Sequence, residues 1–204
     1  MTPALITVDL QRYYLEVGRE EKLGRVGTLI ANTNYLIGCF RGHGLPIVRI
    51  QLAHKADGST WNQQMKPHWT GEALKGTLTE GTWETAPHPG LDQHETDIVV
   101  TKTRGSAFLR TDLEDTLRAL RIDTVVIAGF STDRCVGLTA IDAWERDFEV
   151  ILAGDAILGT NLADGQLMLD YLKKAFAIEA VSNDEVKQLV GGGGTQQDGG
   201  RPSE

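Results

Sequence analysis

Cysteine is scarce in this chain. Only Cys39 and Cys135 occur in 204 residues, in neither a C-x-x-C pair nor a disulfide-rich spacing, which excludes a disulfide-stapled scaffold and leaves one thiol to be explained by chemistry. Apolar runs long enough to cross a bilayer are also missing, so no membrane-spanning helix is expected. Basic blocks are missing too: the formal net charge is -8 and the pI about 5.1, and without a Lys/Arg cluster to neutralise phosphates a nucleic-acid partner is not expected. The first strand-like run starts at Ala4 and leaves no room for a secretory signal, so a cytoplasmic location is expected. No repeat of fixed period is present. What remains, 204 residues of which 41% are hydrophobic, is enough for one globular domain with a substantial core.

The order of the chain is an alternation of apolar β-branched runs with segments of helical period, the pattern of a parallel sheet covered by helices on both faces. Strands are expected at Ala4 to Val8, Pro46 to Ile50, Asp97 to Thr101, Thr124 to Ala128, Glu149 to Ala153 and Ile178 to Val181. Most are continuously apolar rather than alternating, as strands buried on both faces are. Val26, Ile30, Thr33, Ile37 and Phe40 recur at helical spacing, stopped by Gly42 and Gly44. Cys39 in this helix reads as a small buried hydrophobe. Thr111 and Glu114 have capping-box spacing ahead of Leu113, Leu117 and Leu120, and Ser182 with Glu185 repeats it. Further helices are expected from about Cys135 to Arg146 and from Asp164 to Phe176, each a crossover between strands. The fold class is α/β: three layers, α/β/α, with a doubly wound six-stranded parallel sheet.

Two stretches break the rhythm. Leu52 to His94 is rich in Gly, Pro, Trp and polar residues, and loops of that length are usually functional. Gly191 to Glu204 is glycine-rich and polar and is expected to be disordered, leaving residues 1–190 as the domain.

Ligands of open parallel sheets bind beyond the carboxyl ends of the strands, near the point where strand order reverses. Asp9 directly follows the first strand, Lys102 the third, and Cys135 comes six residues after Gly129 ends the fourth. Hydrolysis of an amide needs a strong nucleophile, an oxyanion stabiliser and a proton for the departing nitrogen. Cys135, at a strand–turn–helix junction, can be the nucleophile, and a helix dipole there would lower its pKa. Asp9 can carry the proton, and Lys102 can hold the carboxylate and favour the thiolate. With 93 residues between Asp9 and Lys102, spacing alone does not show that they meet.

Three stretches, Val8-Asp9-Leu10-Gln11, Lys102-Thr103-Arg104-Gly105-Ser106-Ala107-Phe108 and Gly129-Phe130-Ser131-Thr132-Asp133-Arg134-Cys135-Val136, resemble the isochorismatase-like cysteine hydrolases. That family includes nicotinamidases and N-carbamoylsarcosine, ureidoacrylate and biuret hydrolases. The resemblance covers roughly residues 4 to 182. It implies strand order 3-2-1-4-5-6, a thioester intermediate with Asp9 as general acid/base and Lys102 as electrostatic partner, and a non-proline cis peptide at Phe130–Ser131. It further implies an oxyanion hole formed by the N–H groups of Ser131 and Cys135, no cofactor, and a homo-oligomer, dimer or tetramer.

Two departures narrow the activity. Metal-binding nicotinamidases carry Asp-x-His after the second strand, where this chain has Gln51-Leu52-Ala53-His54, and His54, His68, His88 and His94 lack zinc-site pairing, so no metal is expected. Isochorismatase proper does not use the cysteine, so Cys135 argues for the amidase branch. A small amide, ureido or lactam substrate follows, a lactam such as that of streptothricin hydrolase included. Gln11, His54, Trp61, Trp69, Arg104 and Phe108 are candidate substrate contacts: Arg104 for a carboxylate, or else as a structural ion pair; Trp61 and Trp69 for a lid, or else for packing or a subunit contact; Phe108 for a wall. Two other classes stay open: an inactive member that binds a metabolite or partner, and a thiol redox sensor, for which Cys135 lacks a resolving cysteine nearby in sequence.

Overall fold

The computed structural model describes residues 1–18, 20–63 and 77–192. Its elements are β1 (Pro3–Val8), α1 (Arg12–Glu16), α2 (Glu20–Gly42), β2 (Ile47–Leu52), a single 3-10 turn (Trp83–Thr85) and β3 (Ile98–Lys102). Then come α3 (Leu113–Ala119), β4 (Thr124–Phe130), a π turn (Thr132–Val136), α4 (Gly137–Trp144), β5 (Glu149–Leu158), α5 (Leu162–Phe176), β6 (Glu179–Val181) and α6 (Asn183–Gly192). Gly191 and Gly192 close α6, and the rest of the tail expected to be disordered lies outside the described residues.

The six strands pair in the order β3-β2-β1-β4-β5-β6, all parallel. Period-two alternation sends Ala4, Ile6 and Val8 into one apolar layer with Leu113 and Leu117 of α3, Ala140 and Ala143 of α4 and Leu172 of α5. Leu5 faces the other layer, with Leu15 of α1, Leu29, Leu36, Ile37 and Phe40 of α2, and Val186 and Val190 of α6. Strand order reverses between the neighbours β1 and β4, which opens the crevice at their carboxyl ends.

Several local features differ from the sequence expectation. Thr111 is not the N-cap of α3, which is Asp112: its Oγ1 donates to the Ala107 carbonyl and accepts the Leu113 amide (3.4 Å), Glu114 engages Arg146, and the helix runs only to Ala119, leaving Leu120 exposed. At α6 the capping box does form, with the Ser182 amide on Glu185 Oε2 (2.8 Å) and the Glu185 amide on Ser182 Oγ (3.3 Å). Cys39 is half-buried rather than core and belongs to neither apolar layer. β5 continues five residues past Ala153; its register against β4 jumps from Ile127↔Leu152 to Gly129↔Ile157, an irregularity that periodicity cannot reveal. Among the described residues no helix is long and apolar enough to cross a membrane.

The described parts of the 52–94 loop are fastened to the sheet. Gln11 accepts from the Leu52 amide (2.8 Å) and donates to the carbonyls of Leu52 (2.9 Å) and Thr85 (3.0 Å). His54 and Thr79 form a parallel bridge, and Gln11 and Pro87 an antiparallel one.

Candidate active site

Each site residue is delivered by the end of a different strand. Asp9 turns the chain off β1 in a left-handed conformation (φ 51), a region Asp tolerates better than most side chains, with its amide bonded to the Ile50 carbonyl. Lys102 is the last residue of β3. Cys135 sits in the π turn, whose i→i+5 bond joins the Val136 amide to the Ser131 carbonyl (3.0 Å). Upstream, the Phe130–Ser131 peptide is cis. Asp133 anchors the turn from the other side by accepting the Thr160 amide (2.6 Å).

The crossing of β1 and β4 is tight. Gly129 pairs with Val8 at φ 121, and a Cβ built there would lie 2.2 Å from the Val8 carbonyl oxygen. Only glycine fits this position, which brings the ends of β1 and β4 together.

The structure brings Asp9, Lys102 and Cys135 into one cluster. Lys102 Nζ forms an ion pair with Asp9 Oδ2 at 2.8 Å and donates to Cys135 Sγ (3.3 Å) and the Arg104 carbonyl (2.9 Å). Asp9 is near enough to Cys135 for its charge to act on the thiol. Burial raises the Asp9 carboxyl against the opposing pull of Lys102. Lys102 is itself held above its ordinary value by Asp9 and Cys135, which outweigh its burial. The thiol is pushed up to about 12, first by burial and then by the Asp9 charge. This reverses the sequence expectation of a lowered thiol pKa: desolvation and a neighbouring carboxylate outweigh the turn's dipole. The resting arrangement is a neutral thiol beside a carboxylate–ammonium pair.

Other candidates divide. Burial, followed by the charges of Arg104 and Lys102, lowers the pKa of His54 to about 4, leaving a neutral imidazole at pH 7. Its Nδ1 is 3.2 Å from Thr60 Oγ1, and its ring meets Trp61 edge-on at 6.3 Å. Gln11 is a clamp, since both amide protons go to main-chain carbonyls, rather than a substrate contact. Phe108 is a core residue rather than a wall, buried 5.9 Å from the Phe148 ring and beneath the Arg146 guanidinium. Trp69 and His68 lie outside the described residues. No group of three His, Cys, Asp or Glu side chains placed to hold a metal ion occurs among those described.

Sequence reading missed Tyr14. Its ring packs 5.7 Å from Phe130, and burial followed by the charges of Asp9 and Cys135 raises its hydroxyl far above the ordinary value, so it stays protonated beside the thiol. Five-residue spacing from Asp9 was its one signal. Lys22 secures this neighbour by donating to the Tyr14 and Val17 carbonyls at the end of α1, with its ammonium 5.4 Å from the Phe130 ring centre.

Comparison with known proteins adds three relatives. The profile of the isochorismatase domain matches residues 3–184. A ureidoacrylate amidohydrolase of Methylorubrum extorquens is 30% identical over 92% of this chain and 86% of its own. A maleamate amidohydrolase of Pseudomonas putida is 30% identical over 76% and 71%. The crystal structure of an N-carbamoylsarcosine amidase from Thermoplasma acidophilum superposes with a TM-score of 0.75 at 27% identity, covering 90% of this chain and 98% of that one.

Proposed function

The chain belongs to the isochorismatase family, and from that membership we propose that it hydrolyses a C–N bond in a small amide, ureido compound or lactam through a thioester on Cys135. One observation carries this reading: a buried ammonium contacts a carboxylate at 2.8 Å and a cysteine sulfur at 3.3 Å. The relatives named as amidohydrolases of ureidoacrylate and maleamate, and the N-carbamoylsarcosine amidase, support the class of bond.

Because the resting thiol is neutral, attack requires a proton acceptor at the sulfur, and Asp9 is the neighbour equipped for it. As Sγ bonds the carbonyl carbon, its proton passes to the Asp9 carboxylate and the carbonyl π electrons move to oxygen. The N–H groups of Ser131 and Cys135 stabilise that oxyanion. Collapse breaks the C–N bond, the nitrogen takes the proton from Asp9, and the thioester is left. A water then gives its proton to Asp9 as its oxygen attacks the thioester carbon. Collapse breaks the C–S bond, the sulfur regains the proton from Asp9, and the acid departs. Lys102 transfers no proton; its charge opposes the negative charge that moves between carboxylate and sulfur.

Intact-mass spectrometry tests this with a panel of small amides, ureas and lactams on wild type and Cys135→Ala. A substrate gives a transient acyl adduct and released amine or ammonia in wild type and neither in the variant. No adduct and no release across the panel, or equal turnover by Cys135→Ala, overturns it.

A further inference from the structure

The cations linked to the cluster outnumber its carboxylates. Lys102 and Arg104 are cationic, Asp9 is the carboxylate of the cluster, and its charge is taken by Lys102 at 2.8 Å. Arg104 forms no ion pair with any carboxylate among the described residues. In a chain of formal net charge -8, an unpaired guanidinium next to a buried site needs a reason.

Arg104 is also held in place. Its carbonyl accepts from Lys102 Nζ (2.9 Å), while Nη1 donates to the carbonyls of Thr60 (2.5 Å) and Thr103 (2.6 Å). Both Nη1 protons are thus used to lock the guanidinium plane, and the Nε–Nη2 edge keeps its two parallel donors, the geometry that grips a carboxylate bidentately. The segment that receives Arg104 contributes a second donor without an acceptor. Trp61, next to Thr60, has a buried Nε1 with no hydrogen-bond partner among the described residues. A buried N–H left unpaired costs free energy unless a ligand supplies the acceptor. His54, whose ring meets Trp61 edge-on and is held neutral, adds no competing charge.

We propose that Arg104 and Trp61 form an anion subsite, and that the substrate is therefore a short acid amide or ureido acid with a carboxylate a few bonds from the carbonyl that is cleaved. The carboxylate sits on the Nε–Nη2 edge of Arg104 and accepts from Trp61 Nε1, which gives the guanidinium a counter-charge and the indole an acceptor. This rests on the hydrolase reading above for the identity of the cleaved bond, and the binding part of the test stands without it.

Two measurements on the full chain test the subsite. The first compares kcat/KM for maleamate with that for its neutral methyl ester. In Arg104→Gln the acid-to-ester ratio should fall about 10- to 100-fold, chiefly through KM for the acid, as expected for loss of a charged bidentate contact. Arg104→Lys should recover part of the ratio, and Trp61→Phe should lower it less than Arg104→Gln does. The second measurement titrates maleate, malonate and succinate calorimetrically into wild type and Arg104→Gln; wild type should bind at least one of them, about tenfold or more tighter than the variant. Equal losses on acid and ester, or dicarboxylate binding that is absent or indifferent to Arg104, overturn the proposal, because a purely structural strut affects both substrates alike. Arg104-dependent binding without cleavage of any amide would remove the hydrolase reading and leave the subsite standing. Acylation of Cys135 by neutral amides alone would do the reverse.

Discussion

Lys102 Nζ stands 2.8 Å from Asp9 Oδ2 with both side chains sealed from solvent. Neither charge has bulk water to fall back on, so each depends on the other. Lys102→Met should destabilise the fold by about 3–5 kcal/mol, the cost of an uncompensated buried charge, and Asp9→Leu combined with Lys102→Met should recover much of that loss without restoring turnover. Urea denaturation of the two single variants and the double variant measures both effects.

The direction of the site's pKa values fixes the pH profile. Asp9 must be ionised to accept the thiol proton, and its pKa is raised from 3.8, so kcat/KM should fall on the acid side with a midpoint above 3.8. On the alkaline side Lys102 is raised from 10.5 and the thiol is pushed up to about 12, so activity should persist to at least pH 10.5. A pH–rate profile with an alkaline midpoint near 9.0, the ordinary thiol value, would contradict this arrangement.

The same thiol should be sluggish toward small reagents that the site does not bind and orient. Thiolate population falls tenfold for each unit of rise in pKa, so at pH 7 iodoacetamide should alkylate Cys135 at least about tenfold more slowly than free cysteine. Peptide mapping of the labelled protein over time gives the rate at Cys135 separately from Cys39.

Gly129→Ala is expected to cost more than about 4 kcal/mol or to prevent folding, because the clash is with main chain that cannot rotate away. The new Cβ would meet the Val8 carbonyl oxygen at 2.2 Å in a backbone conformation (φ 121) that alanine disfavours. Soluble yield and melting temperature report it, with Gly191→Ala, where a Cβ meets nothing within 4 Å, as the control.

All six strands were legible in the sequence because parallel strands buried on both faces are written as continuous apolar runs, and the parallel sheet followed from the helical segments between them. Asp9, Lys102 and Cys135 were legible as strand-end residues, since topology alone delivers such ends to one rim. What spacing could not carry was the third dimension around them. Phe108 reads like a wall and packs as core, Gln11 reads like a ligand contact and is a clamp, and the thiol's pKa moves opposite to the dipole argument because burial is invisible along the chain. Tyr14 was missed for the same reason, since its place beside Asp9 depends on the angle at which α1 leaves β1. Thr111 shows a shift of one residue: its hydroxyl donates to the Ala107 carbonyl and accepts the Leu113 amide, and the N-cap falls on Asp112 rather than on Thr111 as the capping-box spacing suggests.

A cation hemmed in by groups of its own chain is a poor handle for a visitor. Asp9, Cys135 and the Arg104 carbonyl already surround Lys102 Nζ, so an inhibitor that reaches for this cation must evict one of three entrenched partners before gaining a bond. Affinity is better sought at the sulfur, with an electrophile that the site first binds and orients so that Asp9 can take the thiol proton.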